Sequence, residues 1–312
     1  MTESDFYEAF KAFFPVYPID RTGYFSSSSV IPSTMLHPIP AKDPLLTNDI
    51  SVLVNRRAKE LKDSLAGKTI YLMWSGGIDS TTAFYALVAA NVEFTVLMSD
   101  TSYREYPALA AKITTNSIPG VSWSDIFTTI PAIDFTNSVI VTGEGGDQCF
   151  GSHMFSKMTY ETRVSPYKDY IPAGFSVYTD PIVSQVVDNL ETCTAGQYVW
   201  AINFTLKYAK ALSRIKDHFG GLETASYEHF YDTDYFQQWA MNNSLANSSF
   251  LDYNQYKQPL KDYIFAANGD DDYRTYKKKV PSLRFKRSGN ELIIRSRALQ
   301  ELVTKNSSKE DN

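Results

Sequence analysis

Residues 71–84, YLMWSGGIDSTTAF, decide how the rest of the chain is read. An apolar run over 69–74 breaks into Ser75, Gly76 and Gly77. An acid and three hydroxyls follow (Asp79, Ser80, Thr81, Thr82), and then Ala83, Phe84, Leu87 and Val88 share a helical face. A strand that leaves through glycines and opens a helix presents bare backbone N–H groups beside the positive end of the helix dipole, which makes an anion site. Gly76 and Gly77 let a phosphate approach closely, and Ser75, Ser80 and Thr81, with Thr82 behind them, add hydroxyl donors. A carboxylate at Asp79 is repelled by a polyphosphate unless a cation lies between them. That points to Mg2+, which takes one or two carboxylates plus phosphate oxygens. The loop is neither a Walker loop, whose Gly-Lys-Ser/Thr end is missing, nor GxGxxG.

Working outward, helical spacing runs over 47–66, with Thr47 or Asn48 as the expected cap and Gly67 as the stop. Strands are expected at 69–74, 94–98 and 138–141, with helices over 78–90 and 106–115. This alternation predicts an α/β fold, a twisted parallel sheet with helices on both faces. Beyond about 180 the strand signal fades: 181–190, 196–219 and 232–241 all read as helices. The expected organisation is an irregular, proline-rich segment over 1–45 with a short helix at 5–14, an α/β core over 46–165, a mainly helical part over 166–303 and a disordered tail over 304–312.

The run VIVTGEGGDQCFG, residues 139–151, repeats the device. An apolar strand again ends in glycines, now with Glu144 and Asp147 three residues apart. Asp79 and Asp147, at the ends of neighbouring strands, are placed to share a Mg2+. A helix start enriched in acids reads the same way from sequence.

Bulk properties narrow the class. The chain has 312 residues, a net charge of −5 and 43% hydrophobic residues, a balance that fits a soluble protein with a sizeable core and argues against one that coats nucleic acid or an anionic membrane. No apolar run is long enough to span a membrane, and the first residues do not resemble a signal peptide. Cys149 and Cys193 read as free thiols of a reducing compartment, so a cytoplasmic protein is expected. Four scattered histidines offer no zinc spacing.

The stretch Ser75-Gly76-Gly77-Ile78-Asp79-Ser80 resembles the pyrophosphate loop (PP-loop) of the ATP pyrophosphatases, a HUP-like superfamily of AMP-releasing enzymes. The second loop resembles the Gly-Glu-Gly-Ala-Asp-Glu-x-Phe-Gly motif of its asparagine synthetase branch, through Gly143, Glu144, Gly145, Asp147, Phe150 and Gly151. Gly146 replaces Ala, and Gln148 replaces Glu, which removes a negative charge near the expected metal. The resemblance implies ATP and Mg2+ as cofactors. Ser75, Gly76, Gly77, Asp79, Ser80, Thr81, Met98, Thr142 and Gly143 would bind the nucleotide, and Asp79 and Asp147 the metal. Glu144 would take a proton from the attacking amine. A looser match joins Phe230, Tyr231 and Asp232 to the family's Phe-Leu-Asp, with Asp232 also an expected helix cap. The basic stretch 274–297 follows the family's segment whose Lys neutralises pyrophosphate; Lys286 is the candidate, with Lys279 and Arg284 behind it. The acidic run 269–272 reads as an exposed loop.

The activity so implied is an adenylating carbon–nitrogen ligase that forms AMP and pyrophosphate while activating a carboxylate or amide oxygen for attack by ammonia or an amine. Thr2 follows Met1 where the full enzymes carry a catalytic Cys, so glutamine hydrolysis is not expected of this chain. Its nitrogen would come from ammonia, another amine or a separate glutaminase subunit. Two rivals stand beside this reading: a PP-loop enzyme of nucleobase or tRNA modification that uses 274–297 as its RNA footprint, and a non-catalytic nucleotide-binding subunit.

Overall fold

The structure, a computed structural model, describes residues 18–24, 37–151, 153–219 and 227–277. The expected helix over 5–14, the tail, and Lys279, Arg284 and Lys286 lie outside these residues.

Five parallel strands form one sheet in the order β3-β2-β1-β4-β5: β1 Thr69–Met73, β2 Phe94–Met98, β3 Val121–Asp125, β4 Ser138–Thr142 and β5 Tyr227–His229. The order reverses between β1 and β4, which pair from Thr69 with Ser138 to Met73 with Thr142. Two strands went unread in the sequence for the same reason. β3 (VSWSD) is an edge strand with Trp123 half-exposed, and β5 is three residues with a charge in the middle, so neither carries an apolar run.

Helix α1 (Ile50–Ser64) buries Leu53, Val54, Ala58 and Leu61 in the main core, the larger of them contributing about 1.5–3 kcal/mol each. Its cap is Asp49, not Thr47 or Asn48. The Asp49 carboxylate accepts from the Ser51 N–H at 2.9 Å, and an anion suits a helix N-terminus better than a neutral cap. Helix α2 (Ile78–Ala89) is the one that opens from the first glycine loop, and it is buried on nearly every side. Helices α3 (Asp100–Glu105) and α4 (Pro107–Thr114) follow β2.

Helices flank the sheet unequally. Ile70, Leu72, Trp74, Val96, Val139 and Val141 face α1, α2 and α4 in a core that continues into the C-terminal helices. The opposite face (Met73, Leu97, Ile140, Tyr227) is covered by Ile126 and Ile130, from a single helical turn and a 3-10 turn, with Tyr71, Ile133 and Phe135 packed alongside. The expected second layer is thus a thin one among the described residues.

Past β4 come α5 (Gly146–Phe150), α6 (Ala173–Val183), α7 (Ala195–Leu206), α8 (Tyr208–Phe219), α9 (Asp234–Asn242), α10 (Gln258–Asn268) and α11 (Asp271–Tyr276). The helix expected over 181–190 instead ends at Val183, because Val186 and Val187 bury from turns. The one expected over 196–219 is two helices broken at Lys207. The acidic 269–272 run is exposed at Gly269, Asp271 and Asp272 but is a loop only at Gly269 and Asp270: Asp271 and Asp272 open α11, which Asp270 caps through the Tyr273 N–H while accepting from the Tyr106 hydroxyl at 2.6 Å. Among the described residues no helix is long and apolar enough to cross a membrane. Cys149 and Cys193 are buried and unpaired, and burial pushes the Cys193 thiol up to about 12.

Candidate functional site

Both glycine loops leave the same end of the sheet, from β1 and β4, the strands on either side of the reversal. In open parallel sheets the crevice at such a switch point is where ligands bind. The loop after β1 is held by its own hydroxyls. Ser75 Oγ and Ser80 Oγ lie 3.1 Å apart, the Gly77 N–H donates to Ser75 Oγ, and Ser80 Oγ donates to the Gly77 carbonyl. Gly77 is the N-cap of α2 and no side chain caps it, so the helix opens at the crevice from bare backbone. Gly76 has φ +77°, and a Cβ there would lie 2.8 Å from the Ser102 carbonyl and from Glu105 Cβ. No other residue fits both conditions.

The second loop packs directly on the first. A Cβ on Gly143 would lie 2.9 Å from the Ser80 nitrogen, and one on Gly146 would lie 2.5 Å from Asp79 Cγ. The Gly146 position, Ala in the motif that this loop resembles, therefore has to be glycine here. Thr142 is buried with its hydroxyl 2.7 Å from His229 Nδ1, which ties β4 to β5. Glu144 is partly exposed, and its N–H donates to Thr142 Oγ1 at 3.2 Å.

Asp79 and Asp147 converge as expected, but the cation between them is Lys257. Its Nζ lies 2.6 and 2.5 Å from the two oxygens of Asp79 and 2.6 Å from Asp147 Oδ1, and its side chain is 2% exposed. Burial alone would push the Lys257 ammonium's pKa down. Asp147 and Asp79 overcome that and hold it above the ordinary lysine value. With Nζ in this position, the pair as it stands does not fit a bridging Mg2+. Among the described residues no group of three or more His, Cys, Asp or Glu is placed to hold a metal ion.

Of the other expected residues, Ser75, Gly76, Gly77, Ser80 and Gly143 gather around the crevice. Met98 is buried at the end of β2. Thr81 is fully buried and accepts from the Trp74 indole at 3.1 Å, so its hydroxyl braces the loop rather than facing a ligand; Thr82, also fully buried, donates to the Ile78 carbonyl. Asp232 is not a helix cap. Thr233 caps α9, while Asp232 pairs with His37 at 3.1 Å and accepts from the Tyr208 hydroxyl. Burial would raise the Asp232 pKa, but His37 and Tyr208 bring it below the usual carboxylate value. Tyr231, from the looser match, donates to the Asp79 carbonyl at 3.2 Å.

Lys257, His229 and Tyr273, whose hydroxyl donates to the Gly76 carbonyl at 3.4 Å, were not legible as site residues. Lys257 stands 178 residues from Asp79 and 110 from Asp147 in sequence. A lysine in YKQPLK, ahead of a helix, reads as a solvated charge. The one local signal is Pro259 at the start of α10, which marks where the helix begins and not where the ammonium points.

Comparison of the chain with protein-family models, with curated proteins and with solved structures found no match.

Proposed function

We propose that the chain is an ATP-dependent adenylating ligase of the PP-loop, HUP-like kind, asparagine synthetase-like. One observation carries the reading: the uncapped N-terminus of α2, opened by Gly76 and Gly77, sits at the switch point against the second glycine loop. That arrangement suits a polyphosphate held by backbone N–H groups next to a nucleotide against Gly143.

In this reading a substrate carboxylate oxygen attacks the α-phosphorus of ATP, and the bond to pyrophosphate breaks. The first-turn N–H groups of α2 and the Ser75 and Ser80 hydroxyls take up the charge of the departing pyrophosphate. Ammonia or an amine then attacks the acyl carbon, its proton passes to Glu144, and AMP leaves. Mg2+ arrives on ATP as the counter-ion of its phosphates, and no role at Asp79 and Asp147 is needed for this sequence. Lys286, outside the described residues, stays a candidate for the pyrophosphate. The proposed setting is cytoplasmic.

The test incubates the protein with ATP, Mg2+, ammonia and pools of carboxylic acids, and follows pyrophosphate and AMP. Pyrophosphate that depends on one pool and is lost in Ser80→Tyr, which fills the loop, supports the ligase. ATP binding with no pyrophosphate from any pool favours the non-catalytic nucleotide-binding subunit. No ATP binding overturns both.

A further inference from the structure

We propose that Lys257 is the resident counter-cation of the Asp79–Asp147 pair, and that removing its side chain turns the pair into a divalent-cation site. The three contacts of its Nζ, all within 2.6 Å, put the ammonium where an ion shared by both carboxylates would sit. The carboxylates are largely shielded, 20% and 33% exposed. Left alone, two such charges repel, and a buried pair that loses its partner is strongly destabilised. Something must therefore neutralise them in the protein without ligand. Lys257 is built in for the purpose. It starts α10 from a left-handed conformation, φ +58°, that a lysine seldom adopts, and its Nζ lies 5.4 Å from the centre of the Tyr256 ring. Such strain persists only where the surroundings hold it in place.

One ammonium leaves the two carboxylates with a net charge of −1, whereas a divalent ion would cancel them. Oxygen ligands from two carboxylates are what Mg2+ and Mn2+ take. Lys257 thus keeps a free metal ion out of a position that the acids alone would offer. The inference does not rest on the ligase reading, because the ionic cluster belongs to the chain without nucleotide.

The experiment uses the full chain, without nucleotide, and titrates Mn2+, following the free-ion electron paramagnetic resonance signal and the melting temperature. Wild type should show no saturable Mn2+ binding. Lys257→Met should gain one site, with a melting temperature about 4 °C higher at a hundredfold excess over Kd. The double variant Lys257→Met, Asp147→Asn should lose that site again. If Lys257→Met folds only when Mn2+ is present, that also supports the proposal. Lys257→Gln, which keeps a polar group, gives the same measurement in a milder background. Wild type binding Mn2+ as tightly as the variants, or neither single variant binding it, overturns the proposal.

Discussion

The loops after β1 and β4 are built from the same materials and turn them in opposite directions. The first folds its hydroxyls onto one another and onto its own backbone, and opens α2 at the crevice with no side-chain cap. The second presses its glycines onto the first and sends a carboxylate into a salt-bridge cluster with Lys257. A glycine-rich turn at a strand end therefore has two uses. One strips side chains away to open a bare helix start at the crevice; the other strips them away so that another loop can come close. Sequence alone does not separate the two uses, because glycine looks alike in both.

Substitutions test that division, and the largest effect is expected in the first loop. Gly76→Ala meets both a left-handed backbone and two contacts at 2.8 Å. Urea unfolding should report a loss of about 3 kcal/mol or more, the sum of the left-handed penalty and of overpacking. A variant as stable as wild type would break the claim that this turn is conformationally fixed. Gly146→Ala has ordinary backbone geometry, so only the approach of its Cβ to the pinned Asp79 counts. About 1–3 kcal/mol should be lost. Combining it with Lys257→Met, which frees the Asp79 carboxylate, should cost less than the sum of the two.

The lysine one turn beyond Lys257 sharpens the contrast through pH. Lys261 is fully buried, and its Nζ donates to the Asn254 carbonyl. Burial lowers its pKa from 10.5 to about 8, with Asp252 opposing, Lys277 adding and Asp262 opposing. Between these values the unfolded chain holds a proton that the folded chain has released, so stability rises as pH climbs from 8 toward 10.5. Lys257 has the opposite sign: its contribution is complete below 10.5 and is lost as pH rises from there through its elevated folded value. Urea midpoints over pH 7.5–10 should show wild type gaining on the order of 2 kcal/mol relative to Lys261→Met. Parallel curves would mean that Lys261 stays charged. The smallest effect is expected from Ser80→Ala. It removes the hydroxyl that meets Ser75 and donates to the Gly77 carbonyl, for about 1 kcal/mol by thermal unfolding. A drop in ATP affinity larger than that would place the hydroxyl on the phosphate.

The α/β class, strands β1, β2 and β4, helices α1, α2 and α4, and the two glycine loops were legible from sequence. Each rests on short-range chemistry: apolar runs, helical spacing, and glycines at strand ends. The edge strands β3 and β5 were not, because a half-exposed or three-residue strand takes its identity from the neighbour it pairs with. Asp232 was misread as a cap because Thr233 beside it does that work, while His37 and Tyr208 approach from distant parts of the chain.

Thus the sequence by itself determined that a glycine- and hydroxyl-rich loop and an acid-bearing loop leave neighbouring strands. Only the tertiary structure decided which cation lies between the acids. Backbone turns are set by residues within a few positions of one another, whereas buried charge is neutralised by whatever the packed chain brings within reach. Here that is Lys257, from a helix start more than a hundred residues away.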